Sequence, residues 1–286
     1  MKQLIRPWKP GPARSELVHL CNTILEDEFA GYTLTLRQLY YQLVSRNVLP
    51  NTERSYHLLG KVVARGRMAG LIDWDLIEDR VRTPWSMPEF ASIAELIQVA
   101  IRSYRLPRWR GQEYYAELWV EKDALAGVLQ PLAAEFHVTL MVNRGYSSVS
   151  AMKAASDRYL SRGQKLHLFY LGDFDPSGED MVRDISDRLF EFGADVKIVK
   201  IALTWEQVQQ YSPPPNPVKV KDSRARAFID RYGASSWEVD ALPPQVLEEL
   251  IRAHFAAILD REAMDEVIEQ EEKDKTKLQK WVSRDK

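Results

Sequence analysis

At 286 residues, with 39 Lys and Arg against 41 Asp and Glu and a formal net charge of −2, the chain has a globular composition and a length that suggests two domains, or one large one, with enough residues for a real core. Its one cysteine, Cys21, excludes an internal disulfide and any cysteine-based zinc site. No apolar run reaches the roughly 18 residues a membrane span needs, and MKQLIRPWKPGPARS has neither an apolar signal core nor a cleavage site, so a cytoplasmic protein is expected.

The charge is unevenly placed. Up to Gly111 there are 16 Lys and Arg against 11 Asp and Glu; by difference the remainder carries 23 against 30. Between Arg37 and Arg67 the basic residues Arg37, Arg46, Arg54, Lys61, Arg65 and Arg67 face only Glu53. A basic first part suits phosphate contacts, and an acidic second part suits cation binding.

Met1–Ala13 is Pro-rich and reads as an extended arm. Leu17, Leu20, Cys21, Ile24, Leu25 and Phe29 keep helical spacing, so Arg14–Ala30 is predicted as an amphipathic helix with Cys21 on its core stripe, ended by Gly31. Thr35-Leu36-Arg37-Gln38 has the form of a capping box. In the helix it opens, Leu36, Leu39, Tyr40, Leu43 and Val44 share a stripe, and Tyr41 lies about 130° from its centre. Tyr40 therefore reads as core and Tyr41 as facing away from it. A turn at Asn47–Asn51 comes next, then a third helix to about Met68, with Tyr56, Leu59, Val62 and Val63 inward. Leu71–Val81 reads as two short strands around Asp73-Trp74-Asp75. Three helices and a hairpin form the pattern of a winged helix-turn-helix, whose third helix enters the DNA major groove in DNA-binding versions.

Phe90, Ile93, Leu96, Ile97, Ile101 and Tyr104 mark another amphipathic helix. The basic segment RLPRWRG (Arg105–Gly111) is the expected boundary between a domain spanning 1–111 and one spanning 112–286. Beyond it the pattern alternates. Strands are expected at Tyr114–Val120, Val138–Val142, Leu166–Leu171 and Val196–Leu203. Helices are expected at Asp123–Phe136, Ser147–Ser161 and Ser177–Phe192. That order predicts an α/β domain with a mostly parallel sheet and right-handed crossovers. SPPPNP (Ser212–Pro217) reads as a rigid connector. Helices are expected over Asp222–Tyr232, Pro243–Leu259 and Arg261–Val282, with EQEEKDKTK (Glu269–Lys277) as a solvated face or frayed end. Val239–Leu250 reads as packing or interface. His57, His137 and His167 lack ligand spacing, and neither a Walker A loop nor a G-x-G-x-x-G fingerprint is present.

The chemistry gathers at strand ends. Glu121 succeeds the first strand of the alternating domain, and Asp173 and Asp175 succeed the third. Carboxyl ends of parallel strands are where open α/β sheets place their sites. Three carboxylates there form an oxygen-only donor set suited to Mg²⁺ or Mn²⁺. For Asp175, capping of the next helix is the other reading.

VEKDALAGVL, then NRGYSS, then YLGDFDPSGEDM resembles the Toprim domain of the topoisomerase VI A subunit and of its relative, the meiotic double-strand-break transesterase. In that family the nucleophile lies in an Arg-x-x-Tyr-Tyr motif of a winged-helix (CAP-like) domain. Here the motif is Arg37-Gln38-Leu39-Tyr40-Tyr41, which places the nucleophile at Tyr41, the tyrosine that the helical wheel turns outward. The likeness covers about 33–251. It departs where the family's Gly-Lys-Gly-like turn is Asn143-Arg144-Gly145, and where the chain carries no ATPase domain.

The resemblance implies a winged-helix domain, then a Toprim domain with C-terminal helices. It implies DNA cleavage by transesterification, with Mg²⁺ (or Mn²⁺) at Glu121, Asp173 and Asp175, and with Arg37 and Glu121 serving the reaction beside Tyr41. Arg37 or Lys122 would steady phosphate or lower the phenol pKa; Arg54, Lys61, Arg65, Arg67 and Lys122 would contact DNA. It further implies a 5′ linkage, duplex DNA as substrate, a nucleoid-associated homodimer acting in trans, and a separate GHKL-type ATPase partner. Two other readings use the same residues: a hydrolytic Toprim nuclease that needs no tyrosine, and a DNA-binding protein with no chemistry.

Overall fold

The computed structural model describes residues 1–78, 87–220 and 222–284. The chain opens with α1 (Pro12–Asn22), started by Pro12 in the first turn and extended by a π-helical turn at Thr23–Glu28. The strand β1 (Leu34–Thr35) leads directly into α2 (Leu36–Ser45). The expected capping box is present: Gln38 N–H donates to the Thr35 hydroxyl, and Thr35 N–H donates to the Gln38 side chain. Thr52 caps α3 (Glu53–Met68).

The first strand of the hairpin expected over Leu71–Val81 does not form. Residues 71–76 make turns instead, and β2 (Ile77–Glu78) pairs parallel to β1. The reason is local. Asp73 Oδ1 accepts from Asp75 N–H, which bends the chain within the expected strands, and Arg67 donates to the carbonyls of Trp74 and Ile77. The far end of that hairpin lies outside the described residues.

The helix α4 (Ile93–Ser103), capped by Ser92, precedes the alternating region. There the order is β3 (Tyr114–Val120), a 3₁₀ turn at Asp123–Leu125, α5 (Ala126–Phe136), β4 (Leu140–Val142), α6 (Val149–Leu160), β5 (Lys165–Leu171), α7 (Pro176–Glu191) and β6 (Lys197–Ala202). The strands form one sheet in the order β4-β3-β5-β6, every pair parallel. This is the α/β domain the alternation predicts. The step from β3 to β4 runs opposite in direction to the steps through α6 and α7. Right-handed crossovers therefore place α5 on one face and α6 with α7 on the other. Both faces are covered, so the central strands are largely apolar: Leu118, Trp119, Val120, Leu168, Tyr170 and Leu171 are fully buried, and buried Glu117 on β3 is paired with Arg158.

The rest of the chain wraps the sheet: α8 (Trp205–Tyr211), the antiparallel pair β7 (Asn216–Pro217) and β8 (Ser235–Ser236) with α9 (Ala225–Tyr232) between them, a 3₁₀ turn at Val239–Ala241, α10 (Pro244–Ala256) and α11 (Arg261–Arg284). α10 packs against α5 and β6, stacking Phe255 on Phe136 at 4.6 Å.

Two apolar cores result. One is centred on Leu39, Leu43, Leu59 and Ile72 under α1–α3, and the other on Trp119, Phe169 and Leu171 around the sheet. Cys21 is buried in the first, as its stripe predicts, and burial pushes its thiol up to about 12. Ala241, from the turn after β8, joins that first core. The C-terminal part thereby reaches back onto α2.

Candidate functional site at the carboxyl edge of the sheet

Parallel pairing sets the geometry. Val120 is in register with Leu171, so the residues after β3 and β5 leave the sheet side by side. Glu121 N–H donates to Leu171 O at 2.9 Å, and Asp173 N–H donates back to Glu121 Oε2 at 3.1 Å. The register between β5 and β6 slips at Tyr170–Leu171, just where the chain turns toward the acids. Gly178, at the start of α7, permits a further tight approach. A Cβ there would lie 2.2 Å from Asp173 O, so only glycine lets α7 start against the acidic loop.

The three sequence-predicted carboxylates are near one another but differently employed. Asp173 is 8 % exposed; its Oδ1 accepts from Val239 N–H at 2.9 Å, and its Oδ2 lies 3.1 Å from Lys122 Nζ. Asp175 caps α7, accepting from Gly178 N–H at 2.6 Å and from the Ser177 hydroxyl at 2.9 Å. Burial raises the pKa of Glu121, and the Asp175 charge adds to it. Burial also pushes Asp173 up to about 7; Lys122 opposes that rise, while Glu121 and Asp240 add to it. Lys200 adds a second cation beside Lys122, donating to Asp173 O at 2.7 Å. Tyr170, directly beneath, has a buried hydroxyl without a partner among the described residues, and burial together with those same carboxylates raises its pKa.

Lys122 is the cation that pairs with Asp173. Its ammonium lies 2.6 Å from Glu238 Oε2, 3.0 Å from Asp240 Oδ1 and 3.1 Å from Asp173 Oδ2. Burial works against its charge, but Asp240, Asp173 and Glu238 outweigh burial and hold its pKa above the ordinary value. Glu238 then passes the network to α2. Arg37 Nη2 lies 2.5 Å from Glu238 Oε2, and Arg37 Nε donates to the same carboxylate at 3.0 Å. Burial would raise Glu238, yet Lys122 and Arg37 bring it down to about 2. Fully buried Asp240 answers both cations, with Oδ2 3.5 Å from Arg37 Nε.

Tyr41 stands at the far end of this chain. It does point away from the stripe of Tyr40 and Leu43, but it is not a surface residue: it is 3 % exposed. The wheel gives a direction and says nothing of what covers that direction. Here the cover is Asn216 and Glu238, which come from more than 170 residues away and line a cavity of about 400 Å³ with Tyr41, Arg37, Tyr56 and His57. The two adjacent tyrosines differ in use. The Tyr40 hydroxyl accepts from Thr52 N–H at 2.8 Å and lies 3.0 Å from Pro50 O, so it pins the turn before α3. The Tyr41 hydroxyl has only long contacts, from Asn216 Nδ2 at 3.3 Å and Arg37 Nη2 at 3.5 Å. Burial, with Glu238 adding, pushes its phenol up to about 12, against the smaller opposing effects of Asn216 and Arg37. Arg37 does lower this phenol, but burial and Glu238 outweigh it, and Arg37 is itself paired with Glu238.

Arg54, Lys61 and Arg65 are exposed on the face of α3 that runs on from the Glu53–His57 wall of the cavity. Arg67 is turned away from them; it donates to Trp74 O at 2.5 Å and stacks on the Trp74 ring at 5.3 Å. Sequence reasoning missed Glu238, Asp240 and Asn216. A signal was present in Glu238-x-Asp240, which repeats the spacing of Asp173-x-Asp175, but the segment reads as packing because apolar residues come directly after it.

Glu121, Asp173 and Asp175 offer oxygens alone as donors at the sheet edge, and burial raises the pKa of Glu121 and Asp173. That chemistry fits a hard divalent cation. Asn143, just past β4, donates its N–H to Val120 O and adds a buried side-chain amide with neither its oxygen nor its nitrogen partnered among the described residues. As the side chains stand, no group of three or more His, Cys, Asp or Glu among the described residues is placed to hold a metal.

No family model matches the chain, and no curated protein matches it. The fold and site define an α/β protein with a four-stranded parallel sheet whose acidic carboxyl edge is joined by ion pairs to Arg37 on α2, one turn from buried Tyr41. No helix among the described residues is long and apolar enough to cross a membrane.

Proposed function

We propose that the protein is a DNA strand-breaking transesterase of the topoisomerase VI A type, with a winged-helix-like unit carrying the nucleophile Tyr41 and a Toprim-like unit carrying the acidic edge. The observation that carries this reading is the continuous path Tyr41–Arg37–Glu238–Lys122–Asp173. It joins the one tyrosine of the pair whose hydroxyl is lightly bonded to the carboxylates expected for the metal. The path runs within one chain.

Tyr41 Oη attacks a backbone phosphorus, the phosphotyrosyl bond forms, and the bond to the departing sugar oxygen breaks; reversal reseals the strand. The 5′ linkage, duplex DNA as substrate, a homodimer and a separate ATPase subunit come with the proposed class. The chain's own residues supply orientation and charge. Tyr41 is at the wall of a cavity open enough to admit a phosphate, and Arg37 is positioned to trade part of its bond with Glu238 for that phosphate. Arg54, Lys61 and Arg65 extend the contact along α3. Glu121, Asp173 and Asp175 would hold Mg²⁺ or Mn²⁺, with the Asn143 amide beside them. A bound cation of this kind supplies neutralisation of charge developing on phosphate and leaving oxygen. A phenol near 12 is a poor nucleophile until its proton is taken, so DNA binding must bring a base or a second cation to it.

One observation favours a second reading, hydrolysis at the same carboxylates. Tyr41 is buried and its phenol raised, whereas Glu121 and Asp173 are raised toward the range in which a carboxylate serves as a base for water. Supercoiled plasmid cleavage with Mg²⁺ or Mn²⁺, quenched in detergent, separates the two. Protein covalently held on DNA ends, lost in Tyr41→Phe, is the expected result. Free ends that persist in Tyr41→Phe would establish the nuclease instead.

A further inference from the structure

The side-chain amide of Asn216 is held in one sense by its neighbours. Asn51 stands in the turn that Tyr40 pins, and its Nδ2 donates to Pro215 O at 3.0 Å and to Asn216 Oδ1 at 2.8 Å. A carbonyl oxygen only accepts, so Pro215 O fixes which end of the Asn51 amide is the nitrogen. That nitrogen fixes Asn216 Oδ1 as the atom facing it. Asn216 Nδ2 is left to face the Tyr41 hydroxyl, at 3.3 Å. The backbone that delivers Asn216 is constrained as well. Pro215 and Pro217 flank it, and β7 pairs it with Ser236 of β8, whose hydroxyl donates to Asn216 O at 3.3 Å.

We propose that Asn216, oriented by Asn51, is a positioning residue for Tyr41, whose amide N–H holds the phenol oxygen and stays bonded to it as the phenol gives up its proton. The inference rests on the reading of Tyr41 as the nucleophile. The Tyr41 oxygen receives two donors, Asn216 Nδ2 and, at 3.5 Å, Arg37 Nη2, and its own proton has no acceptor among the described residues. The O–H is therefore free to turn into the cavity that Tyr41, Arg37 and Asn216 line, while both donors stay on the oxygen. Donors to a charged form favour it, and donors already in place cost no reorganisation when the charge develops. Contacts of this kind are long before substrate binds and tighten with it.

The charges around the phenol show why a neutral donor is needed. Glu238 and Asp240, from the turn after β8, hold the proton on; Arg37, from α2, opposes them but is paired with Glu238. Asn216 carries no charge for Glu238 to claim, so its N–H remains directed at the phenol. From α3, Glu53 and His57 line the same cavity and pair with each other at 3.5 Å. The relay also gives the two adjacent tyrosines linked tasks. Tyr40 holds the turn that bears Asn51, and Asn51 sets the amide that holds Tyr41.

Fluorine NMR of the full chain labelled with ring-fluorinated tyrosine, whose more acidic phenol titrates at lower pH, reads Tyr41 directly; its resonance is the one missing in Tyr41→Phe. Asn216→Leu should make this phenol about tenfold less acidic. Asn216→Asp keeps the shape and the bond from Asn51 but turns an oxygen toward the phenol, and should make it less acidic still. Asn51→Ala should act in the same direction but more weakly, and should add nothing in Asn216→Leu. Circular dichroism and the Tyr40 resonance should be unchanged in both Asn216 variants. Covalent attachment to DNA should be roughly tenfold or more slower in Asn216→Leu, with DNA affinity unchanged. A Tyr41 titration that ignores both Asn216 variants, an Asn51→Ala effect that persists in Asn216→Leu, or an unchanged attachment rate would each overturn the relay. A wild type that shows these titration shifts yet never attaches to DNA would instead sink the transesterase reading and leave the Asn51–Asn216–Tyr41 relay established.

Discussion

Arg37 and Glu238, 201 positions apart in the chain, form the ion pair that fastens the helix bearing Tyr41 to the acidic edge of the sheet, with Nη2 2.5 Å and Nε 3.0 Å from one carboxylate oxygen. Glu238 also takes the Lys122 ammonium at 2.6 Å. Glu238→Ala would leave these two cations facing Asp240 and, for Lys122, Asp173. Charge-assisted hydrogen bonds contribute about 1.5–3 kcal/mol each, and the half-exposed Arg37 can recover water, so a loss of about 2–3 kcal/mol in urea unfolding is expected. Glu238→Gln, which keeps the oxygen, should lose less. A change below about 0.5 kcal/mol in Glu238→Ala would show that the pair does not tie the units together.

Tyr41 carries a pH signature. Its phenol sits at about 12 in the folded chain against an ordinary value of 10.0. The folded state thus holds the proton longer than the unfolded state does. The stability this group contributes is whole below pH 10 and falls as pH rises from there through about 12. Tyr41→Phe should lose less stability than wild type across that window and match it near pH 8. Urea midpoints at about pH 8 and about pH 10.5 check this; equal alkaline losses in both proteins would place the phenol in water.

The sequence made legible the pieces with local signatures. The capping box fixes where α2 begins, so the stripe through Tyr40 and the opposite direction of Tyr41 come from spacing. The alternation of Tyr114–Ala202 fixes a parallel sheet, and parallel register alone places Glu121 beside Asp173. What could not be read is what comes from far away. Whether Tyr41 is exposed depends on Asn216 and Glu238, whose approach is set by tertiary folding around α9. The first strand expected within Leu71–Val81 is absent for the opposite reason: Asp73 and Arg67 bond the local backbone and outcompete strand pairing that the apolar residues alone suggest. Glu271 was hidden by composition, since a buried acid inside EQEEKDKTK has the same letter pattern as a solvated one.

The acidic edge predicts a response to cations. Half-buried Glu121 and buried Asp173 lie close together, and burial raises the pKa of both. A divalent ion that binds only the folded chain raises stability in proportion to RT ln(1 + [L]/Kd), about 2.7 kcal/mol at one hundred times Kd. Mg²⁺ or Mn²⁺ in the millimolar range should therefore raise the melting temperature, and Asp173→Asn or Glu121→Gln should abolish the rise while leaving the fold intact. Gly178→Ala should reduce it too, because a methyl group there meets Asp173 O at 2.2 Å and displaces the loop. A melting temperature that ignores both cations would remove the metal from the proposal and leave Lys122 as the counterion of Asp173.

Glu271 offers a test far from the site. It is fully buried on α11, where its carboxylate takes Leu106 N–H at 2.9 Å, Arg108 Nη2 at 3.2 Å and Lys275 Nζ at 2.8 Å. α11 is thus pinned to the segment between α4 and β3 by a buried ion pair, and not frayed. Burial alone would raise this acid; Lys275, the Leu106 amide and Arg108 instead hold it down to about 2. A depressed acid contributes stability that is present above its unfolded value and is lost as pH falls from there through about 2. Removing one partner of a buried charge pair costs about 3–5 kcal/mol, because the other charge is left uncompensated. Glu271→Ala should accordingly expose α11 to limited proteolysis near Arg261 at neutral pH, and should blunt the acid sensitivity of the melting temperature between the ordinary value of 4.5 and about 2. If α11 stays protected in the variant, the helix is held by its apolar contact with α4 and the ion pairs around Glu271 are incidental.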